Sequence, residues 1–231
     1  MPSLPDTAGG YLLALTHLQE QVLSGALTVG DRLPGERELA AELGVSRGAV
    51  REAIRAMQAY GVLESQPGPG RGTRVIAMQS KALGRLFSLH LATASQSQTD
   101  LTETRIALER ATASLAASTA TTDDHARLQR IIETMDGTHE LEPYNDLDTD
   151  FHHCIAQISG NPLLRDLTVA IREALRRPIL QASLGVDRWA DIRTMLCEQH
   201  RSIYDAIRSG DGSHAADLVE HHIRDAATAL F

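Results

Sequence analysis

The chain has 231 residues, 42% of them hydrophobic and 23% charged, and a formal net charge of −8. That length suits two domains, each with its own core, and no run of about 18 apolar residues exists to span a membrane. MPSLPDTAGG at the start has neither the charged nor the apolar region of a secretion signal, and Cys154 and Cys197 are too few for a disulfide framework, so a reducing, cytoplasmic setting is expected. Residues 1–76 hold seven basic and eight acidic side chains, against fifteen and twenty-two in the remainder. Only the first part suits nucleic acid.

Residues 33–55, LPGERELAAELGVSRGAVREAIR, predict two short helices joined by a tight turn. Pro34 and Gly35 open the first, Glu36 and Glu38 suit its first turn, and Leu39, Ala40 and Leu43 form its apolar side. Gly44 can end it at positive φ. Ser46 then caps a second helix with Val50, Ala53, Ile54 and Met57 inward, while Arg47, Arg51 and Arg55 recur every fourth residue on another face. Alone, such a charge row is a solvated helix face. Here it is followed by two short strands, Val62–Gln66 and Thr73–Ile76, around a Gly/Pro-rich tip carrying Arg71. A hairpin behind a basic helix is the pattern of a winged helix-turn-helix.

Residues 11–76 resemble the winged-helix domain of the GntR family of bacterial transcription regulators. The matching residues are Gly30-Asp31-Arg32-Leu33-Pro34, Glu36-Arg37-Glu38-Leu39-Ala40, Val45-Ser46-Arg47, Val50-Arg51-Glu52-Ala53 and Gly61. The resemblance implies that Arg37, Ser46, Arg47 and Arg51 touch operator DNA, with Gly48 on the same leading turn, and that a wing-tip glycine approaches the minor groove. Gly68, Gly70 and Gly72, around Arg71, are candidates for that tip. Gly35 stands where the family usually has Ser or Ala, Ala49 where it has Thr, and the wing is about two residues longer than usual.

Past a linker at 77–80, residues 81–231 read as an all-α bundle. The expected helices cover 81–94, 100–120, 122–137, 141–159, 162–181, 188–209 and 212–230, with breaks at SQSQTD, TTDD, MDGTHELEP, SGNP, SLGVD and SGDGS. Helical spacing sorts the ten histidines. His152 lies beside the stripe Leu147, Phe151, Ile155 and Ile158, with Asp148 one turn away. His200 falls in the row Leu196, Ile203, Tyr204 and Ile207. His222 accompanies Leu218, Val219 and Ile223, whereas His153 and His221 point elsewhere. A single inward histidine is ordinarily a satisfied core residue. Three with an aspartate are also what one divalent ion would satisfy together, and spacing does not say whether the four meet.

Residues 81–231 resemble the FCD domain, the helical ligand-binding half of the FadR subfamily of GntR regulators. The matching residues are Glu103, Arg105 and Glu109, Asp148-x-x-Phe151-His152, Ser159-Gly160-Asn161, His200-Arg201-x-Ile203 leading to Gly210-Asp211, and His222-Ile223. The resemblance implies one divalent metal ion per chain, zinc or nickel, held by Asp148, His152, His200 and His222 at the floor of a cavity. A small carboxylate effector could complete its coordination. Arg105 can clamp that carboxylate, or pair along its own helix with Glu103 or Glu109. Asn161, Arg172, Trp189 and Tyr204 can line a cavity or serve packing and surface. The expected protein is a homodimeric DNA-binding regulator, a repressor of a short palindromic operator. The alternative is a metal-dependent hydrolase fused to a DNA-binding domain, against which stands the lack of an HExxH helix.

Overall fold

The computed structural model describes residues 7–66, 68, 72–78, 80–93, 97–186 and 188–230. Contacts divide the chain into two compact units, Met1–Leu83 and Gly84–Phe231, with the division inside one helix, α4 (Ser80–Thr93). Among the described residues no helix is long and apolar enough to cross a membrane.

The first unit begins with α1 (Thr7–Leu23), which buries Ala14, Leu15 and Leu18 at helical spacing against α3. α2 (Glu36–Leu43) contributes Leu39 and Ala40 to the same core and stops at Gly44, whose φ of 68° lets the chain reverse within one residue. Ser46 starts α3 (Arg47–Ala59) by accepting the Ala49 N–H at 3.1 Å. Val50 and Ala53 are fully buried, and Ile54 and Met57 nearly so. β1 (Leu63–Gln66) and β2 (Gly72–Val75) pair antiparallel with Leu63 opposite Val75, and both residues close the core from below the hairpin tip. The segment before α2 lies along the outer edge of β2, through Leu33 N–H to the Thr73 carbonyl and Val75 N–H to the Asp31 carbonyl, each 2.9 Å.

The second unit holds α5 (Gln98–Thr119), α6 (Thr122–Asp136), α7 (Leu141–Ile158), α8 (Pro162–Leu184), α9 (Trp189–Arg208) and α10 (Gly212–Leu230). Reciprocal capping boxes at Ser97 with Asp100 and at Thr121 with Asp124 start α5 and α6. α7 is central in the packing, burying Tyr144, Phe151, Cys154 and Ile155, each large apolar side chain contributing about 1.5–3 kcal/mol. Arg193 of α9 donates to the Met135, Asp136 and Thr138 carbonyls, satisfying the end of α6. α10 meets α5 closely because Gly212 has no side chain: a Cβ there would stand 2.7 Å from the Ser114 carbonyl oxygen.

The expected helices recur with shifted ends. α5 starts earlier, at its Ser97 cap, and α8 runs three residues past the expected 181. α1 was not predicted. Its run of apolar residues is broken by His17, Gln19 and Glu20, and only packing against α3 gives that pattern a direction.

Candidate functional site

On α3 the exposed side carries Arg47, Gly48, Arg51 and Arg55. Arg47 occupies the first turn and Arg37 is exposed on α2. The Ser46 oxygen is engaged by its cap bond, which leaves the O–H as a donor. Arg51 is partly committed: Nη2 donates to Glu36 Oε2 at 2.7 Å and Nε at 3.1 Å, so it ties α2 to α3. This pairing raises the Arg51 pKa and lowers that of Glu36. Arg55 pairs with Glu52 one turn back. Arg74 donates through Nη1 to the Gly30 carbonyl at 2.9 Å, fastening the wing to the preceding loop. Gly68 has φ of 127°, a conformation that suits glycine, while Gly70 and Arg71 lie outside the described residues.

In the second unit α7 supplies Asp148 and His152, α9 supplies His200 and α10 supplies His222. One donor atom from each lies within 4.8 Å of all the others. The Nε2 atoms of His200, His222 and His152 stand 3.2, 3.8 and 3.9 Å from Asp148 Oδ1. All three imidazoles are at most 2% exposed.

The far side of each ring is engaged. His152 Nδ1 is 2.9 Å from Glu109 Oε2, an acceptor, so Nδ1 carries the proton and Nε2 a lone pair. Gln199 Nε2 donates to Asp225 at 2.7 Å, which turns its Oε1 toward His222 Nδ1 at 3.0 Å and assigns the same tautomer there. His200 Nδ1 lies 3.5 Å from the Tyr144 hydroxyl. The Nε2 atoms of His152 and His200 are buried without a hydrogen bond. Burial, then the Arg172 charge, pushes the His152 pKa down to about 4, and burial with the neighbouring rings holds His222 well below its ordinary value. The inward lone pairs of His152 and His222, with the His200 ring and a carboxylate beside them, are a donor set for a divalent cation.

Two arginines hold the carboxylates. Arg172 of α8, 3% exposed, donates to Glu109 at 2.7 Å and to Asp148 at 2.9 Å. Burial opposes the charge on both acids, yet Arg172, together with His200 and His152 at Asp148 and with Arg105 and His152 at Glu109, outweighs it and keeps both pKa values well below the ordinary range. Arg105 bonds Glu109 through Nε at 3.1 Å, while burial and the neighbouring Arg172 charge lower its pKa. Arg105, Asp148 and His222 stand at one end of a cavity otherwise lined largely by apolar side chains of α5, α7, α8, α9 and α10.

Of the residues the sequence suggested for an effector, Arg105 and Trp189 line this cavity. Arg105 does so while also making the helix pair with Glu109. Arg172 and Asn161 are not among the cavity's lining residues. Arg172 is engaged by the buried Glu109 and the half-buried Asp148, and Asn161 is an exposed N-cap of α8, its Oδ1 accepting the Leu164 N–H at 3.1 Å. Tyr204 packs in the core. Gln199, Tyr144 and Asn145 were missed. Tyr144 and Asn145 lie one turn before Asp148 on α7, which is the signal that could have found them.

Residues 12–75 match the bacterial regulatory proteins of the gntR family, and residues 100–225 match the FCD domain. The chain is 30% identical over 219 residues to the HTH-type transcriptional regulator LutR of Bacillus subtilis strain 168, covering 90% of this chain and 95% of that protein. It is 27% identical over 212 residues to the galactonate operon transcriptional repressor of Escherichia coli K12, covering 86% of each. Among solved structures, Streptococcus agalactiae GntR superposes with a TM-score of 0.65 at 26% identity, covering 94% of this chain and 99% of that one. The kinship is to regulators, and the hydrolase alternative finds no support in it. With a winged helix that offers an arginine-bearing helix and a helical domain matching FCD over its core, the chain belongs to the GntR family as a DNA-binding transcription regulator carrying an FCD domain, and is not an enzyme.

Proposed function

We propose that the protein is a homodimeric repressor whose hold on a palindromic operator is released by a small carboxylate bound over a metal ion in the FCD domain. The observation that carries this reading is the quartet Asp148, His152, His200 and His222, whose donor atoms converge beneath Arg105 at the end of an apolar cavity. The residues fit a metal on the structure's own terms, because buried Nε2 atoms with no hydrogen bond face one carboxylate oxygen. When bound, the ion supplies positive charge and open coordination positions for an anion.

Charge argues for the anion. Arg105 and Arg172 balance Glu109 and Asp148, so a divalent cation leaves the pocket with an excess of positive charge that a carboxylate offsets. Arg105 orients that carboxylate with the guanidinium nitrogens it does not give to Glu109. A dimer is expected because one recognition helix reads few base pairs. Repression follows the relative named for repressing the galactonate operon, where the Glc operon transcriptional activator of Escherichia coli K12, 28% identical over 217 residues, has the opposite sign, and a cytoplasmic location follows from the need to reach DNA.

The test is gel shift on the DNA upstream of the protein's own gene, with candidate acids added to wild type and Arg105→Ala. Acid should release wild type from DNA, while Arg105→Ala binds DNA normally, keeps its metal and ignores acid at the wild-type effective concentration. A response by the variant at that concentration, or equal acid binding by chelated wild type, would overturn the arrangement.

A further inference from the structure

Helical geometry sorts the cavity lining into layers, each about one turn, or roughly 5 Å, above the last. The floor holds Asp148, Arg105 and His222. One turn up are Asn145 of α7, Thr102 of α5, Leu175 of α8 and Ala226 of α10. A further turn brings Gln98, Leu141, Ile179 and Leu230, and Trp189 stands higher still, two turns before Leu196 on α9.

The polar groups above the floor are mostly committed. The Thr102 hydroxyl donates to the Gln98 carbonyl at 2.9 Å, that of Ser183 to the Ile179 carbonyl at 2.9 Å, and Trp189 Nε1 to the His139 carbonyl at 3.0 Å. Tyr144 is shared by His200 and Cys197. Asn145 differs. It is 7% exposed, lines the cavity, and its buried Nδ2 has no hydrogen-bond partner. An amide left unmet in an apolar wall costs about 1–3 kcal/mol. A ligand group that meets it recovers that cost only if the group sits one layer above the carboxylate.

We infer that Asn145 reads a hydroxyl beside the effector's carboxylate and that the layer above it takes an aliphatic tail, so the effector class is a branched-chain 2-hydroxy acid rather than a polyhydroxylated sugar acid. A hydroxyl both donates and accepts, so it satisfies the amide in either flip orientation. Above Asn145, Leu141, Ile179 and Leu230 give the wall a mostly apolar face, with Gln98 on α5 and Ser183 on α8 its polar side chains, so most of a sugar acid's further hydroxyls would be buried there without a partner, which is costly. The inference rests on the proposed carboxylate position over Asp148 and beside Arg105.

Calorimetry on metal-loaded, full-length protein tests it with three probes: 2-hydroxy-4-methylpentanoate, 4-methylpentanoate and gluconate. Wild type should prefer the hydroxy acid to its deoxy analogue by about tenfold, the worth of one buried hydrogen bond, and bind gluconate weakest. Asn145→Leu and Asn145→Ala should keep the metal and still bind 4-methylpentanoate, with the preference for the hydroxyl gone. A full preference in both variants would mean that another group, such as the metal, reads the hydroxyl, and would overturn the role of Asn145. Gluconate binding as tightly as the branched acid would overturn the apolar tail. If Arg105→Ala bound 4-methylpentanoate as wild type does, the underlying carboxylate site would fail instead, a result distinct from either.

Discussion

His221 and His222 are neighbours in the chain with opposite surroundings: the first is exposed and pairs with Asp225, the second is 2% exposed and faces Asp148. If the quartet holds a metal, elemental analysis of purified protein should find about one divalent ion per chain in wild type and in His221→Ala, and a loss in His222→Ala. Full occupancy in both variants would remove the four-ligand assignment. Arg47 has a comparable role in the first unit, because it stands on the leading turn of α3 and no neighbour on its own helix claims it, as Glu52 claims Arg55. Arg47→Ala should cost about 1–3 kcal/mol on operator and less on scrambled duplex. Equal losses on both would assign Arg47 to phosphate.

Three helices of the second unit are joined by one side chain. Arg172 of α8 reaches Glu109 of α5 and Asp148 of α7. Arg172→Ala leaves the half-buried Asp148 without its arginine and the buried Glu109 with Arg105 alone, so a loss of about 3–5 kcal/mol is expected in urea unfolding. A loss below about 1 kcal/mol would mean that water reaches the pair. In the first unit the link between elements is weaker: Arg51 ties α3 to Glu36 of α2 at the surface, where such pairs contribute about 0–1 kcal/mol. Arg51→Ala should therefore leave the melting temperature nearly unchanged and weaken DNA binding on operator and scrambled duplex alike, with the salt slope shallower by about one charge. An unchanged slope would mean that Arg51 serves the helix pair alone.

For the molecule as a whole, the proposed signal requires the acid to bind one conformation better than another, since a ligand indifferent to the two shifts nothing. Binding to the folded state alone should raise stability by about 2.7 kcal/mol at a hundredfold excess over Kd. Thermal denaturation of metal-loaded protein should therefore show an acid-dependent rise in melting temperature, and chelation should abolish it. A rise that survives chelation would place the acid away from the quartet.

Much of this architecture was legible in the chain. Gly44 and Ser46 announce the turn between α2 and α3 through their own backbone and side-chain chemistry, and 3.6-residue periodicity turns His152, His200 and His222 inward because each sits in a row of apolar neighbours. Periodicity is a property of one helix at a time. It gives a side chain its face and is silent on which face of another helix it meets. The meeting of Asp148 with three histidines from three helices, the tautomers set by Glu109 and Gln199, and the diversion of Arg172 to buried acids and of Asn161 to a helix cap are decided by packing between segments distant in sequence. The close approach of α10 to α5 at Gly212 is one such contact, and it belongs to the fold alone.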